Sequence, residues 1–355
     1  MTTIDTVQRP RLTPDAASCM AAIAAGRFRH VRVAPGHPDM PLVNLRDAGS
    51  ADPSARRALA LELGEVCRHI GFFSVESHGL DPALMSRAQA EIEAFFRLPA
   101  EVKQQIHIGK SDRHRGYVPY GEEKALGGSA PDIKEVFDMA RELPLDHPAV
   151  LANKPFHGPN VWPEGRPGFR ASVSGLFDEM LALTTRISRL FALCFDKPEP
   201  FFDATLQEHL CEMRLLCYPP QPGGAPAGQI GCGEHTDYGI VSALWQIDQG
   251  GVELRRHDGQ WVQAGRIDGS FVCVLGDMTE RWTNGEWPAT LHRVVNRGGA
   301  LRHSVAFFCD PGYDCVVEPL PAFVGPGRPP RYAPTTMGAH MARGYDGSFQ
   351  YRAAV

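Results

Sequence analysis

The spacing of apolar residues changes near residue 205, and the two parts of the chain predict different elements. Before this point apolar residues recur every three to four positions, as they do in amphipathic helices. The pattern predicts helices over Pro53–Ile70 and Pro82–Arg97 and a long one over Gly168–Phe195. After it, apolar and polar residues alternate in short runs separated by Gly, Pro and Asp, which is typical of strands joined by turns.

Short strands are therefore predicted throughout the second part, and many short strands indicate a sandwich or barrel. The predicted strands are Pro41–Leu45, Phe72–Val75, the alternating run Met213–Tyr218, Val241–Trp245, Val252–Arg255, Trp261–Ala264, Phe271–Leu275, Leu291–Val295 and His303–Phe308. The Gly-rich segment 109–129 predicts a long loop. The Pro-rich segment 320–334 predicts an irregular wrap, and 16–26 predicts a short helix.

Composition narrows the class of protein. Of 355 residues, 43% are hydrophobic and 22% are charged, which is ordinary for a globular chain. A net charge of −5 does not favour phosphate-backbone binding, so no nucleic-acid partner is expected. No apolar run approaches the roughly 20 residues of a membrane span. Nine scattered cysteines without a C-x-x-C pair predict free thiols and a cytoplasmic location.

Candidate chemistry begins with His235 and Asp237. On an extended strand residues i and i+2 share a face, so this pair offers an imidazole and a carboxylate to one point. The H-x-D pattern alone is common by chance, but His292 follows 55 residues after Asp237 on another strand-like run. Two histidines and one carboxylate with no thiolate are typical of non-haem Fe(II) oxygenases, although zinc also binds such ligands.

A candidate anion clamp follows the second histidine. Arg302 and Ser304 share a strand face, and a guanidinium beside a hydroxyl suits a carboxylate because the fork bonds both oxygens. Tyr218 is positioned to add a third hydrogen bond from a neighbouring strand. Arg302 taken alone is more simply interpreted as a surface charge, and its interpretation as a clamp depends on the metal motif before it.

These motifs give the chain a resemblance to a known family. It resembles the 2-oxoglutarate/Fe(II)-dependent oxygenases of the isopenicillin N synthase-like group, over most of its length. The motifs that carry the resemblance are His235-Thr236-Asp237-Tyr238-Gly239 with His292, Arg302-x-Ser304 preceded by Met213–Pro220, Gly276–Gly285, Ile70–Phe73 with His78-Gly79, and Lys134–Asp138. One departure is Leu216, where many plant members have Asn.

The resemblance implies a mainly β, α+β fold: a double-stranded β-helix, or jelly roll, with flanking helices. Its expected regions are an N-terminal mixed region (38–150), a long bracing helix (165–200), the jelly-roll core (205–315) and a C-terminal wrap or cap (316–355). It implies that His235, Asp237 and His292 bind Fe(II). It also implies that Arg302, Ser304 and Tyr218 bind 2-oxoglutarate as cosubstrate, with no catalytic residue beyond the metal ligands.

The implied activity uses O2 to hydroxylate, desaturate or cyclise a small-molecule substrate, with release of succinate and CO2, as in secondary metabolism. The predicted pocket residues are Tyr117, Tyr120, Trp245, Phe308 and Tyr313, each of which is equally typical of a core aromatic. In some relatives the C-terminal tail caps the pocket, and Phe349, Tyr351 and Arg352 are the candidates for that role here.

Three alternatives stay open at this point. The first is an Fe(II) oxidase of the same fold that does not use 2-oxoglutarate. The second is a zinc hydrolase, for which Glu234 is the nearest candidate base. The third is a non-catalytic binding module that keeps the fold. In each case we expect a monomer or weak homodimer without a membrane or nucleic-acid partner.

Overall fold

The computed structural model of the chain describes residues 15–124, 131–220, 230–296 and 299–349. Its helices are α1 Ala16–Ala24, α2 Pro53–His69, α3 Pro82–Phe96, α4 Ala100–Lys103, α5 Pro148–Leu151, α6 Pro167–Cys194, α7 Asp203–Leu206, α8 Asp277–Trp282 and α9 Met337–Ser348. Its strands are β1 Val31–Ala34, β2 His37–Asn44, β3 Phe72–Glu76, β4 Gly116–Val118, β5 Glu135–Ala140, β6 Glu212–Tyr218, β7 Cys232–His235, β8 Val241–Gln246, β9 Val252–Arg255, β10 Trp261–Ala264, β11 Phe271–Leu275, β12 His292–Val294, β13 Arg302–Phe308, β14 Val316–Val317 and β15 Thr335–Thr336.

The strands form two sheets that make the jelly-roll core. The larger sheet has the order β1-β2-β3-β11-β8-β13-β6-β5-β4, and the smaller has the order β10-β9-β12-β7. The β2–β3 pairing is parallel and the other pairings are antiparallel. A cavity is lined by residues of β6, β8 and β13 on one side and of β7, β9 and β12 on the other, so it lies between the sheets.

Helix α6, whose apolar spacing predicts a helix packed on the core, lies on the outer face of the larger sheet. Pro167 begins the helix at a position where its missing N–H costs nothing. The inward residues Phe169, Leu176 and Leu183 are fully buried. On the sheet side, the Phe177 ring meets the outward-facing Phe307 edge-on at 5.1 Å. The helix therefore covers the face of β13 that points away from the cavity.

The N-terminal region is built into the larger sheet. Strand β3 pairs with β11, and β5 pairs with β6, so the predicted regions 38–150 and 205–315 share hydrogen-bonded strands. The prediction of a loop over 109–129 is wrong at Gly116–Val118, which forms β4 against β5. The sequence pattern does not indicate these strands because β5 is buried along its whole length and therefore lacks alternation.

The C-terminal region contains a helix that the sequence does not predict. Thr336 caps α9 by accepting from the backbone N–H of Ala339. Three glycines in the segment oppose a helix prediction because glycine has low helix propensity. The packing explains one of them: a Cβ on Gly344 would lie 2.2 Å from the Tyr238 hydroxyl, so only glycine allows this close seating.

Two further predictions from the sequence concern the cysteines and membrane-spanning segments. All nine cysteines are free thiols, as predicted. Among the helices in the described ranges, none combines the length and the apolar character needed to cross a membrane.

Candidate active site

Three predicted metal ligands converge at one end of the smaller sheet. His235 ends β7 and His292 begins β12, and the two are register partners in the antiparallel pair. Their ring centroids lie 4.2 Å apart. Asp237 Oδ1 lies 3.6 Å from His235 Nε2 and 3.7 Å from His292 Nε2. The three side chains thus face one point between the sheets.

Asp237 reaches this point from a turn. We expected His235 and Asp237 to share a strand face, but β7 ends at His235 and Asp237 lies beyond it. The Asp237 carbonyl accepts a hydrogen bond of 2.8 Å from the backbone N–H of Asp277, the first residue of α8. The carboxylate is therefore placed by a contact with a helix 40 residues further along the chain, which strand periodicity cannot show.

Both imidazoles are oriented for metal binding. His235 Nδ1 lies 2.8 Å from the Gly233 carbonyl, and His292 Nδ1 lies 3.0 Å from the Thr290 carbonyl. A carbonyl oxygen only accepts, so each Nδ1 carries the proton and each Nε2 presents its lone pair toward Asp237. Burial, reinforced by the neighbouring His235, lowers the pKa of His292 to about 4 and keeps it neutral. Asp237 Oδ2 is buried and has no hydrogen-bond partner within the described ranges.

This donor set fits a divalent metal. It offers two neutral imidazole nitrogens and one carboxylate, and their ligand atoms lie within 4.8 Å of one another. An orphaned buried carboxylate oxygen beside two lone pairs is costly unless a cation binds there. Two histidines and one carboxylate on one face, with positions left open, is the arrangement typical of non-haem Fe(II).

The predicted anion clamp lies on the larger sheet. Arg302 is fully buried, and its Nη1 donates to Ser304 Oγ at 3.1 Å. Its other donors reach the Gly250 carbonyl at 2.9 Å and Gln246 Oε1 at 3.3 Å. The guanidinium lies 4.8 Å from the centroid of the Tyr218 ring, on the neighbouring strand. Arg302 forms no ion pair with a carboxylate of the described residues, and the side-chain and carbonyl groups that accept its hydrogen bonds are neutral.

One large cavity joins the clamp to the metal ligands. Its volume is about 690 Å³, which is within the range of small-molecule sites. Of the predicted pocket residues, Phe308 lines this cavity, whereas Tyr117, Tyr120, Trp245 and Tyr313 do not. The lining includes groups that sequence reasoning missed: Glu123, Asp132, Lys134, Glu212, Arg214, Tyr238, Asp310 and the α9 residues His340, Arg343 and Tyr345.

Strand parity explains why two of the predicted pocket residues, Trp245 and Tyr117, lie outside this cavity. Trp245 is the register partner of Val305, and Ser304, the neighbour of Val305, faces the cavity, so Trp245 faces away from it. Tyr117 likewise lies on the outer face, where its hydroxyl donates to Glu135 at 2.8 Å. Residues with the parity of Arg302 point inward, and counting from Arg302 along β13 would have selected Phe308 and Asp310.

The other two aromatic residues lie outside the strands. Tyr120 follows β4 and is 43% exposed. Tyr313 follows β13, where its ring packs 6.4 Å from Phe156 and against Gly338 of α9. Tyr313 thus supports the helix that covers the cavity instead of lining the cavity itself.

Helix α9 and the residue after it cover one side of the cavity. His340 Nε2 lies 2.8 Å from Asp277 Oδ2 of α8, and the Tyr345 hydroxyl donates to Glu212 Oε2 at 2.8 Å. Phe349 is buried, with the Arg214 guanidinium 5.7 Å from its ring. The expectation of a capping tail thus agrees with the position of Phe349, while Tyr351 and Arg352 lie outside the described residues.

An ionic network centred on Arg214 of β6 forms a wall of the cavity on the same sheet as the clamp. Arg214 donates to both oxygens of Asp138 and to both oxygens of Glu123. Lys134 lies 3.3 Å from Glu123 and donates to Asp132 at 2.7 Å. Burial opposes ionisation of Glu123, but Arg214 and Lys134 outweigh it and hold the pKa of Glu123 below its usual range. Asp132 also accepts from the backbone N–H of Gly233, which ties the network to the strand that carries His235.

Comparison with known families now adds to this geometry. Residues 205–311 match the model of the 2OG-Fe(II) oxygenase superfamily. Residues 40–165 match the model described as the N-terminal region of a non-haem dioxygenase in morphine synthesis. The chain is a 2-oxoglutarate/Fe(II) oxygenase. The predictions of family, jelly-roll fold, enzymatic activity and of Fe(II) with 2-oxoglutarate are therefore confirmed.

Relatives of this oxygenase include curated proteins and solved structures. A 2-oxoglutarate-Fe(II) type oxidoreductase of Aspergillus fumigatus is 32% identical over 84% of this chain and 90% of that protein. A homoarginine-6-hydroxylase of Arabidopsis thaliana is 34% identical over 79% of this chain and 84% of that protein. The crystal structure of a 2OG-Fe(II) oxygenase family protein from Caulobacter crescentus is 32% identical, with TM-score 0.74 over 86% of this chain and 97% of that one.

A further solved structure contains the cosubstrate. A Neurospora crassa protein in complex with alpha-KG is 26% identical to this chain, with TM-score 0.73 over 86% of this oxygenase and 95% of that protein. Membership in this superfamily also settles the choice against a zinc hydrolase. The carboxylate of Glu234 accepts from Arg293 at 2.8 Å, so the candidate base of that alternative is engaged in an ion pair.

Proposed function

We propose that this oxygenase hydroxylates a small molecule in the cavity between its sheets. In this proposal His235, Asp237 and His292 hold Fe(II), and Arg302 with Ser304 and Tyr218 binds the distal carboxylate of 2-oxoglutarate. The observation that carries the proposal is the fully buried Arg302 guanidinium, which opens to the same cavity as the three metal ligands. A buried cation with only neutral partners provides a strong site for an anion.

The iron, when bound, supplies the oxidation of 2-oxoglutarate and substrate by O2. The residues of the chain orient the reactants and exclude water. The Nδ1–H groups of His235 and His292 donate to carbonyls and hold both rings with Nε2 toward the metal position. Arg302 holds the cosubstrate by its carboxylate, and the Gly250 carbonyl and Gln246 fix the guanidinium in turn.

The inward residues of β13 divide the cavity into two parts. Arg302 and Ser304 line the cosubstrate part, and Ala306 and Phe308 line the part further along the strand. Helix α9 covers this second part and excludes water from it. We assign the second part to the substrate because the clamp leaves no other large space in the cavity for it.

The test uses the iron-loaded protein without oxygen. Titration with 2-oxoglutarate should show binding that depends on Fe(II), and O2 with a substrate should then release one succinate per hydroxylated product. His292→Ala should lose iron binding and the iron-dependent part of 2-oxoglutarate affinity while keeping its circular-dichroism spectrum. Equal 2-oxoglutarate affinity with and without iron, or an iron-loaded His292→Ala protein, would refute the assignment of the site.

We also propose the setting in which the enzyme acts. Nine free thiols, most of them buried, suit a reducing cytoplasm. The net charge of −5 gives no support for a nucleic-acid partner. A monomer or weak homodimer fits a site built entirely from one chain. Analytical ultracentrifugation tests the oligomeric state, and a stable higher oligomer at micromolar concentration would contradict it.

A further inference from the structure

The substrate part of the cavity ends at two neighbouring acidic side chains. Glu212 lies on β6 opposite Phe308 of β13. The backbone N–H of Leu210 donates to the Asp310 carbonyl at 3.2 Å, so the two segments stay adjacent one step further on. Both residues line the cavity. Glu212 and Asp310 are therefore diagonal neighbours at the end furthest from Arg302.

Asp310 is a buried acid, and the packing leaves space for its carboxyl group. Its side chain is 2% exposed, and its Oδ1 has no hydrogen-bond partner within the described ranges. A Cβ on Gly239 would lie 2.2 Å from this oxygen, so only glycine leaves room for the carboxyl group. Gly239 lies two residues after Asp237, which places Asp310 against the turn that carries a metal ligand.

The two cations of the wall, Arg214 and Lys134, are already committed to other acids. Arg214 makes four hydrogen bonds to Asp138 and Glu123 and approaches Glu212 Oε1 only to 3.8 Å. Lys134 is paired with Asp132 and Glu123. Glu212 accepts one hydrogen bond, from the uncharged Tyr345 hydroxyl. Asp310 is thus left without a cationic partner among the described residues.

The region as a whole has more carboxyl groups than cations. The acids are the buried Asp132, Asp138, Glu212 and Asp310 and the largely buried Glu123. The cations are the buried Lys134 and Arg115 and the largely buried Arg214. Burial raises the pKa of Glu212 to about 7 and raises the pKa of Asp310 well above its usual range. A buried acid without a partner is costly to the folded protein, and such groups are typical of sites completed by a ligand.

We propose that the substrate carries a cationic nitrogen, a guanidinium or an ammonium group, which binds to Asp310 with Glu212 beside it. This inference rests on the proposed function, because it assigns the substrate class of the same cavity. The group would supply the positive charge that the wall lacks, and it would anchor the substrate on the side of the cavity where the Asp237 turn lies.

A metal ion fits this end less well. His114, Asp138 and Glu212 bring ligand atoms within 4.8 Å of one another. However, both oxygens of Asp138 accept from the Arg214 guanidinium, and that charge would lie beside any metal bound there. An organic cation in the cavity meets Asp310 without displacing this ion pair.

The test measures binding of small cations to the enzyme loaded with Fe(II) and 2-oxoglutarate without oxygen. Methylguanidinium and methylammonium are compared with neutral methylurea by calorimetry. At least one cation should bind the wild type and methylurea should not. Asp310→Asn should weaken the cation at least tenfold, as expected for loss of a charged hydrogen bond. Asp314→Asn, a change at a 76% exposed side chain four residues further on, should leave it unchanged.

The readouts separate this proposal from the proposed function. Loss of 2-oxoglutarate binding to the wild type would refute the proposed function, whereas normal 2-oxoglutarate binding without cation binding would refute only the present inference. A cation affinity equal in wild type and Asp310→Asn, or binding of Mn²⁺ beyond one ion per chain in place of the organic cations, would also refute it.

Thermal unfolding distinguishes a ligand-binding role of Asp310 from a purely structural one. If the carboxyl group serves a ligand, Asp310→Asn should melt at or above the wild-type temperature, because an unpartnered buried acid is removed. A clearly lower melting temperature would show that Asp310 is structural and would overturn the proposal. Glu212→Gln provides a second variant for the calorimetry, and it too should weaken cation binding.

Discussion

The Arg302 clamp allows a quantitative prediction, because the guanidinium contacts are resolved atom by atom. Lysine at this position keeps the positive charge but cannot reproduce donors toward Ser304, Gln246 and the Gly250 carbonyl while bonding both oxygens of a carboxylate. Losing one hydrogen bond to a charged group costs about 1.5–3 kcal/mol. Arg302→Lys should therefore weaken 2-oxoglutarate by roughly 10- to 150-fold.

The assay is calorimetric titration of the iron-loaded protein with 2-oxoglutarate without oxygen, which measures Kd separately from turnover. Arg32→Lys is the control, because Arg32 is half exposed on β1 and pairs with Glu76. Its 2-oxoglutarate affinity should equal that of the wild type. Iron affinity should be the same in all three proteins, since Arg302 does not touch the three metal ligands.

An unchanged Kd for Arg302→Lys would refute the reasoning, because it would mean that no bidentate contact exists. A loss of iron binding in the same variant would also refute it, by showing that the change disturbs the sheet and not only the cosubstrate. A weaker Kd in Arg32→Lys would indicate a general electrostatic effect in place of a specific clamp.

Three further predictions follow from other parts of the structure. Asp237→Ala should lower iron affinity in a metal titration. Wild-type turnover in chloride-rich buffer should give no chlorinated product by mass spectrometry, because the Asp237 carboxylate fills the position that a halide would need. Burial lowers the pKa of His209 to about 4, so its neutral form stabilises the fold fully above the unfolded value near 6.5, and this contribution is lost as pH falls toward 4. Urea unfolding measures the free energy of unfolding of the wild type and of His209→Gln. The difference between the two proteins should change by about 3 kcal/mol between pH 7 and pH 4, and a constant difference would contradict this. Leu183→Ala, in the fully buried stripe of α6, should cost about 2–5 kcal/mol in the same measurement, whereas Leu61→Ala, at an exposed position of α2, should cost little.

The local spacing of apolar residues predicted the helices and strands that have one apolar face. Helix α6 begins and ends within one residue of its predicted bounds, because an apolar stripe that repeats every 3.6 residues over 28 residues fits only a helix. Most of the second-half strands and the close approach of Arg302 to Ser304 follow in the same way from a period of two. Spacing along the chain was also sufficient to nominate His235, Asp237 and His292 as a set.

Contacts between distant segments decided the features that local spacing does not predict. Asp237 is held by the backbone of Asp277, and α9 forms in spite of its glycines because Gly344 fits against Tyr238. Glu212 becomes a neighbour of Asp310 through the register of β6 against β13, and Trp245 turns away from the cavity through the register of β8. Periodicity is a property of a few consecutive residues, whereas register and close approach depend on which surfaces the whole chain can bury together. For this reason the sequence alone predicted the metal motif, and only the tertiary structure revealed the acidic end of the cavity beside it.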